Sequence, residues 1–244
     1  ILIFEKQTDC EPFNILCIGA SNTRSCAYLE HINDNLSNIY FKGTRSFNQK
    51  MFHEGRGGWH AYNYVHTYRN FCGSSPFVFP KGFEAAEYYG DMEFIDLVND
   101  ENHETYSYDG YNIPPIQEGQ IYHREEKLYR HLKDGDVLVS ENPEWEYRFD
   151  KYVEKYSIGK IDAVSLLFGG NDLQVCPYEE SQRWIDAFID NLEIMINGIH
   201  AYNKDIAVIV CMPLIGAEQY AWGKCIGTKG SSKMYRFHVL RATK

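Results

Sequence analysis

Short apolar runs alternate with amphipathic stretches along most of the chain. Three runs are continuously apolar and end at glycine or proline, as buried strands do before a turn, at 14–18, 161–168 and 205–212. A shorter strand is predicted at 38–42 and leads into a polar loop at 43–58. Helical spacing of apolar residues predicts helices at 24–36, 59–68 and 179–200. Apolar strands separated by such helices are typical of a parallel sheet covered on both sides. The pattern therefore predicts an α/β fold, a three-layer sandwich with a central parallel sheet and helices on both faces.

The middle of the chain, from about 76 to 143, breaks this rhythm. It holds several tyrosines, the Pro114–Pro115 pair and a strand-like stretch after Gly135. We interpret it as an aromatic-rich insertion. The chain is then a single domain spanning 1–244, with 1–12 as a lead-in.

Composition narrows the class of partner and ligand. The chain carries 24 Lys and Arg against 34 Asp and Glu, a formal net charge of −10, and this balance lacks the basic face that phosphate backbones require. We therefore expect no nucleic-acid partner. A run of about 18 apolar residues, the length that a membrane-spanning helix needs, does not occur, so we expect no membrane partner either. Aromatic residues reach 15%, with 19 Tyr, which suits sugar ligands, although ordinary half-buried packing is the commoner use.

The cysteine pattern favours a reducing compartment. The seven cysteines are odd in number and include no C-x-x-C pair, so neither a disulfide framework nor a dithiol centre is predicted. We expect a cytoplasmic protein, or a secreted one if a signal peptide precedes Ile1.

His123 and His131 fit no standard metal-ligand spacing, and neither a metal nor an organic cofactor is expected.

Three glycine-containing segments follow predicted strands, where parallel sheets bind ligands. Residues 19–23 (GASNT) place a serine hydroxyl between the first strand and the first helix, a good position for a nucleophile. Taken alone, a helix cap formed by Ser21 or Asn22 is the commoner role. Residues 53–59 (HEGRGGW) form either a loop whose N–H groups approach a ligand or a plain surface loop. Residues 169–172 (GGND) place an amide where it can donate to a developing negative charge, or form a simple turn.

In this order, GASNT, EGRGGW and FGGNDL resemble the sequence blocks of the SGNH (GDSL-type) hydrolases, a family of α/β esterases. The resemblance covers most of the chain as architecture, but its motifs are confined to these three blocks. It implies that Ser21 is the nucleophile. It also implies that the oxyanion is held by the backbone N–H of Ser21, the backbone N–H of Gly58 and the side chain of Asn171. The reaction would be acyl-ester hydrolysis, with an acetylated sugar as the first substrate expected.

Three further residues are expected to contact the substrate. They are His60, Arg56 and Asp172. For Arg56, simple exposure on the loop is an equal alternative. Trp184 is predicted to be a core anchor, and for Trp59 core packing is preferred over a role as a sugar platform. The oligomeric state is left open.

The chain departs from the family pattern at three places. Ala20 stands where the family has Asp, which puts the support of the turn in doubt, and His60 stands where Thr or Ser is usual. The fourth block, Asp-x-x-His near the C-terminus, supplies the acid and the base, and no such block follows Asn171. The one Asp-x-x-His in the chain, at 100–103, comes too early. Without a base, serine is a poor nucleophile at neutral pH.

Two explanations of the missing block stay open. We favour an acid–base pair that lies beyond Lys244, because residues 230–244 have the pattern of a helix that would precede one more strand and the catalytic loop. The alternative is a catalytically inactive module of the SGNH fold that binds glycans. A phosphodiester or nucleotide enzyme is disfavoured, because neither an acidic metal cluster nor a Walker-type loop is present in the sequence.

Overall fold

Helices and strands alternate through the computed structural model, which describes residues 11–46, 51–67, 74–91, 116–174 and 179–211. Within these ranges the chain is mixed α/β, with strands in more than one sheet. The strands are β1 Phe13–Gly19, β2 Ile39–Lys42, β3 Arg45–Ser46, β4 Phe52–Gly55, β5 Val78–Pro80, β6 Tyr88–Asp91, β7 Ile121–Arg124, β8 Lys127–Arg130, β9 Val137–Ser140, β10 Trp145–Tyr147, β11 Ala163–Leu167 and β12 Ala207–Cys211. The helices are α1 Ser21–Arg24, α2 Ala27–Asn35, α3 Ala61–Val65, α4 Phe149–Lys155, α5 Gly170–Gln174 and α6 Ser181–Tyr202.

The largest sheet is built around β1. One edge of β1 pairs in parallel with β11, which pairs in parallel with β12. The other edge is shared, since β2 pairs with the first half of β1 and β4 with its last two residues, both in parallel. β3 adds to β4 in the antiparallel sense. Parallel pairing brings the carboxyl ends of β1, β4 and β11 to one edge, where Gly19 lies opposite both Gly55 and Leu167.

Both faces of β1 are buried. Leu16 and Ile18 belong to the larger core cluster, which also contains side chains of α4 and α6. Ile15 and Cys17 belong to a second cluster that contains Leu29 of α2. The alternation follows from the period of a strand, whose successive side chains point to opposite faces. Each fully buried Leu or Ile contributes about 1.5–3 kcal/mol, so β1 is well anchored.

Aromatic rings fill much of the larger cluster. The ring of Phe77 lies 4.3 Å from that of Tyr152 and 6.1 Å from those of Tyr64 and Phe149, centroid to centroid. Tyr64 and Tyr152 are fully buried. Part of the high tyrosine content is therefore core packing, the commoner of the two uses considered above.

The segment from about 76 to 143 contributes most of two smaller sheets. One has the order β6-β7-β8-β9, and the other pairs β5 with β10. Lys155 at the end of α4 donates to the carbonyl oxygens of Tyr88 and Tyr89, at 2.7 and 2.9 Å. These bonds tie β6 to the helix that packs in the main core.

Most predicted elements are present, with shifted ends. The predicted helix at 24–36 begins at Ala27, because Cys26 adopts the left-handed conformation at φ 57° and separates α1 from α2. The predicted loop at 43–58 is wrong in part, since it contains β3 and β4. The predicted helix at 230–244 lies outside the described residues.

In the part of the chain that the structure describes, no helix has the length and apolar character needed to cross a bilayer.

Candidate functional site

The turn after β1 carries Ser21 at the surface. Ser21 is exposed and is the first residue of α1, and Ala20 occupies the N-cap position. The carbonyl of Ala20 accepts the N–H groups of Thr23 and Arg24 at 3.2 and 3.0 Å. The interpretation in which Ser21 or Asn22 caps this helix is therefore wrong, and the Ser21 hydroxyl is not used for capping.

Two glycines allow the β1 turn to lie directly against the ends of β4 and β11. A Cβ on Gly19 would stand 2.2 Å from Thr23 Oγ1 and 2.7 Å from the carbonyl oxygen of Leu167. A Cβ on Gly55 would stand 2.3 Å from the backbone N of Arg24. Since both contacts include backbone atoms, only glycine permits this approach.

The glycine-rich loop continues from β4 and is bonded to the end of β1. The N–H of Arg56 donates to the carbonyl of Gly19 at 2.9 Å. Gly58, two residues on, has φ +77°, is exposed, and has no atom within 4 Å of the position a Cβ would take. The loop thus holds the Gly58 backbone in the left-handed region beside open space.

The third segment, after β11, is bonded to the glycine-rich loop through two side chains. Asn171 Nδ2 donates to the carbonyl of Trp59 at 2.8 Å. The carboxylate of Asp172 accepts the N–H of Ala61 at 2.8 Å and the N–H of Gly169 at 3.0 Å. Burial raises the pKa of Asp172, and the hydrogen bonds from these N–H groups and the charge of nearby His60 offset only part of that rise. The three predicted segments are therefore joined at one edge of the main sheet.

His60 and Asp172 line one cleft of about 330 Å³ between the start of α3 and α6. The N–H of His60 donates to Asn63 Oδ1 at 2.7 Å, which fixes the residue at the start of α3. Asp172 is only 6% exposed, so it forms part of the floor. The structure brings together these two of the three predicted substrate contacts.

Arg56 does not reach this cleft, and its predicted surface position is corrected. Its side chain is 3% exposed, and Nη1 lies 2.8 Å from Glu54 Oε2. The guanidinium also lies over the rings of Trp59 and Tyr64, at 5.0 and 5.5 Å from their centroids. Arg56 therefore packs beneath the loop and is not exposed, and it is not among the residues that line this cleft.

Glu54 is the centre of this support. Thr44 and the hydroxyl of Tyr152 donate to its Oε1, the latter at 2.8 Å. Burial by itself would raise the pKa of Glu54, but the charge of Arg56 and the bonds from Thr44 hold it below the ordinary value. Sequence reasoning missed this residue, whose signal is an acidic and a basic residue two apart inside a glycine-rich loop.

The proposed acid–base pair has no counterpart among the described contacts. Within the described ranges, no hydrogen bond joins the Ser21 hydroxyl to a histidine. The Asp-x-x-His at 100–103 and the histidine at 238 lie outside those ranges. The described residues also contain no group of three or more His, Cys, Asp and Glu placed to hold a metal ion.

The cleft also has walls that the sequence did not reveal. Trp184, predicted as a core anchor, is half-buried and lines the cleft, together with Tyr62, which is 51% exposed. Trp59, for which core packing was preferred over a sugar platform, is fully buried as predicted. The helical spacing placed Trp184 on the apolar face of α6. That face extends beyond the core, and Trp184 lies where it reaches the rim of the cleft.

Comparison with known proteins adds no relative: no protein-family profile, curated protein or solved structure matches the chain.

Proposed function

We propose that the protein is a serine ester hydrolase of the SGNH type that acts through an acyl-enzyme on Ser21. The observation that carries this proposal is the meeting of three segments at one sheet edge. The exposed Ser21 turn contacts the end of β4, and the glycine-rich loop that follows β4 is bonded to Asn171 through the carbonyl of Trp59.

The chemistry follows from these three segments. Ser21 Oγ attacks the ester carbonyl and loses its proton to a general base, for which the proposal requires a histidine from outside the described residues. The carbonyl oxygen becomes the oxyanion of a tetrahedral intermediate. The N–H groups of Ser21 and Gly58 and the side chain of Asn171 donate to that oxyanion. Collapse releases the alcohol, which takes up the proton, and water then hydrolyses the acyl-enzyme. The side-chain amide of Asn171 has two N–H donors. One donates to the carbonyl of Trp59, and the second is the proposed donor to the oxyanion.

The fold that we propose with this activity is a three-layer sandwich. The parallel pairing of β2, β4, β1, β11 and β12 supports it, as do the core clusters on both faces of β1. The ligand site of such a sheet is at the carboxyl ends of its strands, which is where Ser21 lies. A carbohydrate ester, such as an acetylated sugar, is the proposed substrate.

Hydrolysis of p-nitrophenyl acetate by the full-length protein tests the nucleophile. We expect Ser21→Ala to abolish turnover. Ser25→Ala is the matched control, because Ser25 is an exposed serine four residues on, with its hydroxyl bonded to the carbonyl of Asn22 at 3.0 Å. Unchanged turnover in Ser21→Ala would exclude Ser21 as the nucleophile.

The second candidate is a glycan-binding module of the same fold without catalysis. It is favoured by Ala20 in place of Asp and by the cleft with aromatic walls beside the site. Sugar binding with no Ser21-dependent hydrolysis by the full-length protein would establish this alternative.

A further inference from the structure

The cleft between the start of α3 and α6 combines aromatic and polar walls. Tyr62 and Trp184 supply the aromatic surfaces, and His60, Asp172 and Asn191 supply polar groups. Its volume of about 330 Å³ is at the small end of the roughly 300–1,000 Å³ that ligand sites occupy. A ligand of this size that satisfies both walls must itself be apolar on one face and polar at its edge.

The walls are held in place by bonds within the protein. His66 Nε2 lies 3.2 Å from Asn191 Oδ1, which links α3 to α6, and the ring of Tyr62 stacks on that of His66 at 4.2 Å. On the other side, Trp184 Nε1 donates to Glu180 Oε2 at 3.2 Å. Because these contacts exist without a ligand, little ordering is needed when one binds.

The cleft begins at the loops that carry the proposed oxyanion donors. His60 follows Gly58 by two residues, and Asp172 follows Asn171 directly. A group bound in the cleft therefore lies next to the residues proposed to hold the reacting ester, which is the position expected of the rest of the substrate.

We infer that this cleft binds one sugar ring of the ester substrate, with Trp184 and Tyr62 against its apolar face and polar side chains at its hydroxyls. As a substrate subsite, this assignment rests on the proposed esterase. A fatty acyl chain fits less well, because the Asp172 carboxylate accepts two backbone N–H groups and has further lone pairs, which a chain without hydrogen-bonding groups would cut off from water. A phosphate or other anion also fits less well, because Arg183 on this wall is opposed by the carboxylates of Glu180, 4.0 Å away, and Asp172.

Binding of methyl pyranosides to the full-length protein tests the inference. Saturation-transfer NMR titrations would use the methyl glycosides of glucose, galactose, mannose, xylose and N-acetylglucosamine. We expect at least one to bind, and we expect its affinity to fall about tenfold or more in Trp184→Ala and again in Tyr62→Ala. Tyr62 is 51% exposed, so its removal gives a second variant with little risk to folding. Tyr40→Ala is the control, because Tyr40 is a similarly exposed tyrosine, at 52%, on β2.

Three results would overturn the inference. They are no binding by any pyranoside, unchanged binding in both cleft variants, and displacement of the sugar by octanoate or inorganic phosphate at equal concentration. Because binding is measured without turnover, the two proposals fail separately. Sugar binding without hydrolysis rejects the esterase, whereas Ser21-dependent hydrolysis without sugar binding rejects the subsite.

Discussion

The side-chain amide of Asn171 has two donors with two different tasks. One is bonded to the carbonyl of Trp59 at 2.8 Å and orients the amide, and the other is proposed to meet the oxyanion. An amide fixed in this way needs no reorganisation when charge develops on the substrate, which is the condition for a large electrostatic effect.

Replacement of Asn171 by alanine should therefore lower kcat much more than it lowers stability. We expect kcat for p-nitrophenyl acetate to fall roughly 10²–10³-fold, and the free energy of unfolding to fall by about 1 kcal/mol for the lost bond to Trp59. Asn35→Ala is the matched control, since Asn35 Nδ2 also donates to a backbone carbonyl, that of His31, at 2.7 Å. Equal kcat values in the two variants would remove Asn171 from the oxyanion site.

The buried ion pair of Glu54 and Arg56 is predicted to stabilise the folded protein, because each charge compensates the other. Arg56→Met leaves the Glu54 carboxylate buried without its cation, so we expect the free energy of unfolding in urea to fall by about 3–5 kcal/mol. Lys81 and Glu144 form an ion pair of the same 2.8 Å length at the surface, and Lys81→Met should cause no measurable change. The prediction fails if the two variants unfold at the same urea concentration.

At the scale of single elements, α4 is joined to β6 by Lys155, a half-buried lysine. The Nζ of Lys155 reaches the carbonyls of Tyr88 and Tyr89 and lies among the rings of Phe79, Tyr88 and Tyr156. Burial lowers its pKa to about 7. A neutral amine still has two N–H groups, enough for both carbonyl bonds, so the contact persists after the proton is lost.

The stability of the protein should consequently rise with pH above neutrality. In the unfolded chain the lysine pKa is near 10.4. Between about pH 7 and that value the unfolded chain binds more protons, so the free energy of unfolding increases with pH, by at most about 1.4 kcal/mol per unit for this group. Urea unfolding at pH 7, 8 and 9 should show a smaller rise in Lys155→Met than in the wild type. Lys133→Met, at an exposed site, should keep the wild-type rise. Parallel pH profiles for wild type and Lys155→Met would contradict the lowered pKa.

At the scale of the whole molecule, the apolar elements were predictable from sequence and the polar interior was not. β1 and β11 are continuous apolar runs, and their burial follows from that pattern. β12 pairs with β11, but the prediction that it is buried is wrong: among the described residues it is the last strand of the sheet, and Ile209 and Val210 are 47% and 49% exposed. β4 was missed because its buried members include His53 and Glu54, whose partners come from distant residues such as Tyr152. A polar side chain is buried only when such partners exist, and periodicity does not reveal them.

The candidate site was also predictable only in part. The common sheet edge of the Ser21 and Asn171 segments follows from two predicted parallel strands that each end at a glycine turn. The Gly58 segment follows β4, which the pattern did not predict. The cleft was not predictable, because its walls lie on α3 and α6, far apart in the chain, and because Trp184 has ordinary core spacing on α6. Arg56 was misplaced for the same reason as Glu54, since each is buried through the other.

The pairing of β1 with β11 has a consequence for how the molecule is made. Asn14 bonds to Asp162 across 148 positions of sequence, so one edge of β1 has no partner until that much more chain has been synthesised. At roughly 5–20 residues per second, the wait on the ribosome is on the order of ten seconds. During that time β2 and β4 can cover only the opposite edge, and an unpaired apolar strand edge is a hazard for aggregation. The same long-range pairing that brings β11 beside the Ser21 turn thus leaves one edge of β1 open to association with other chains during synthesis.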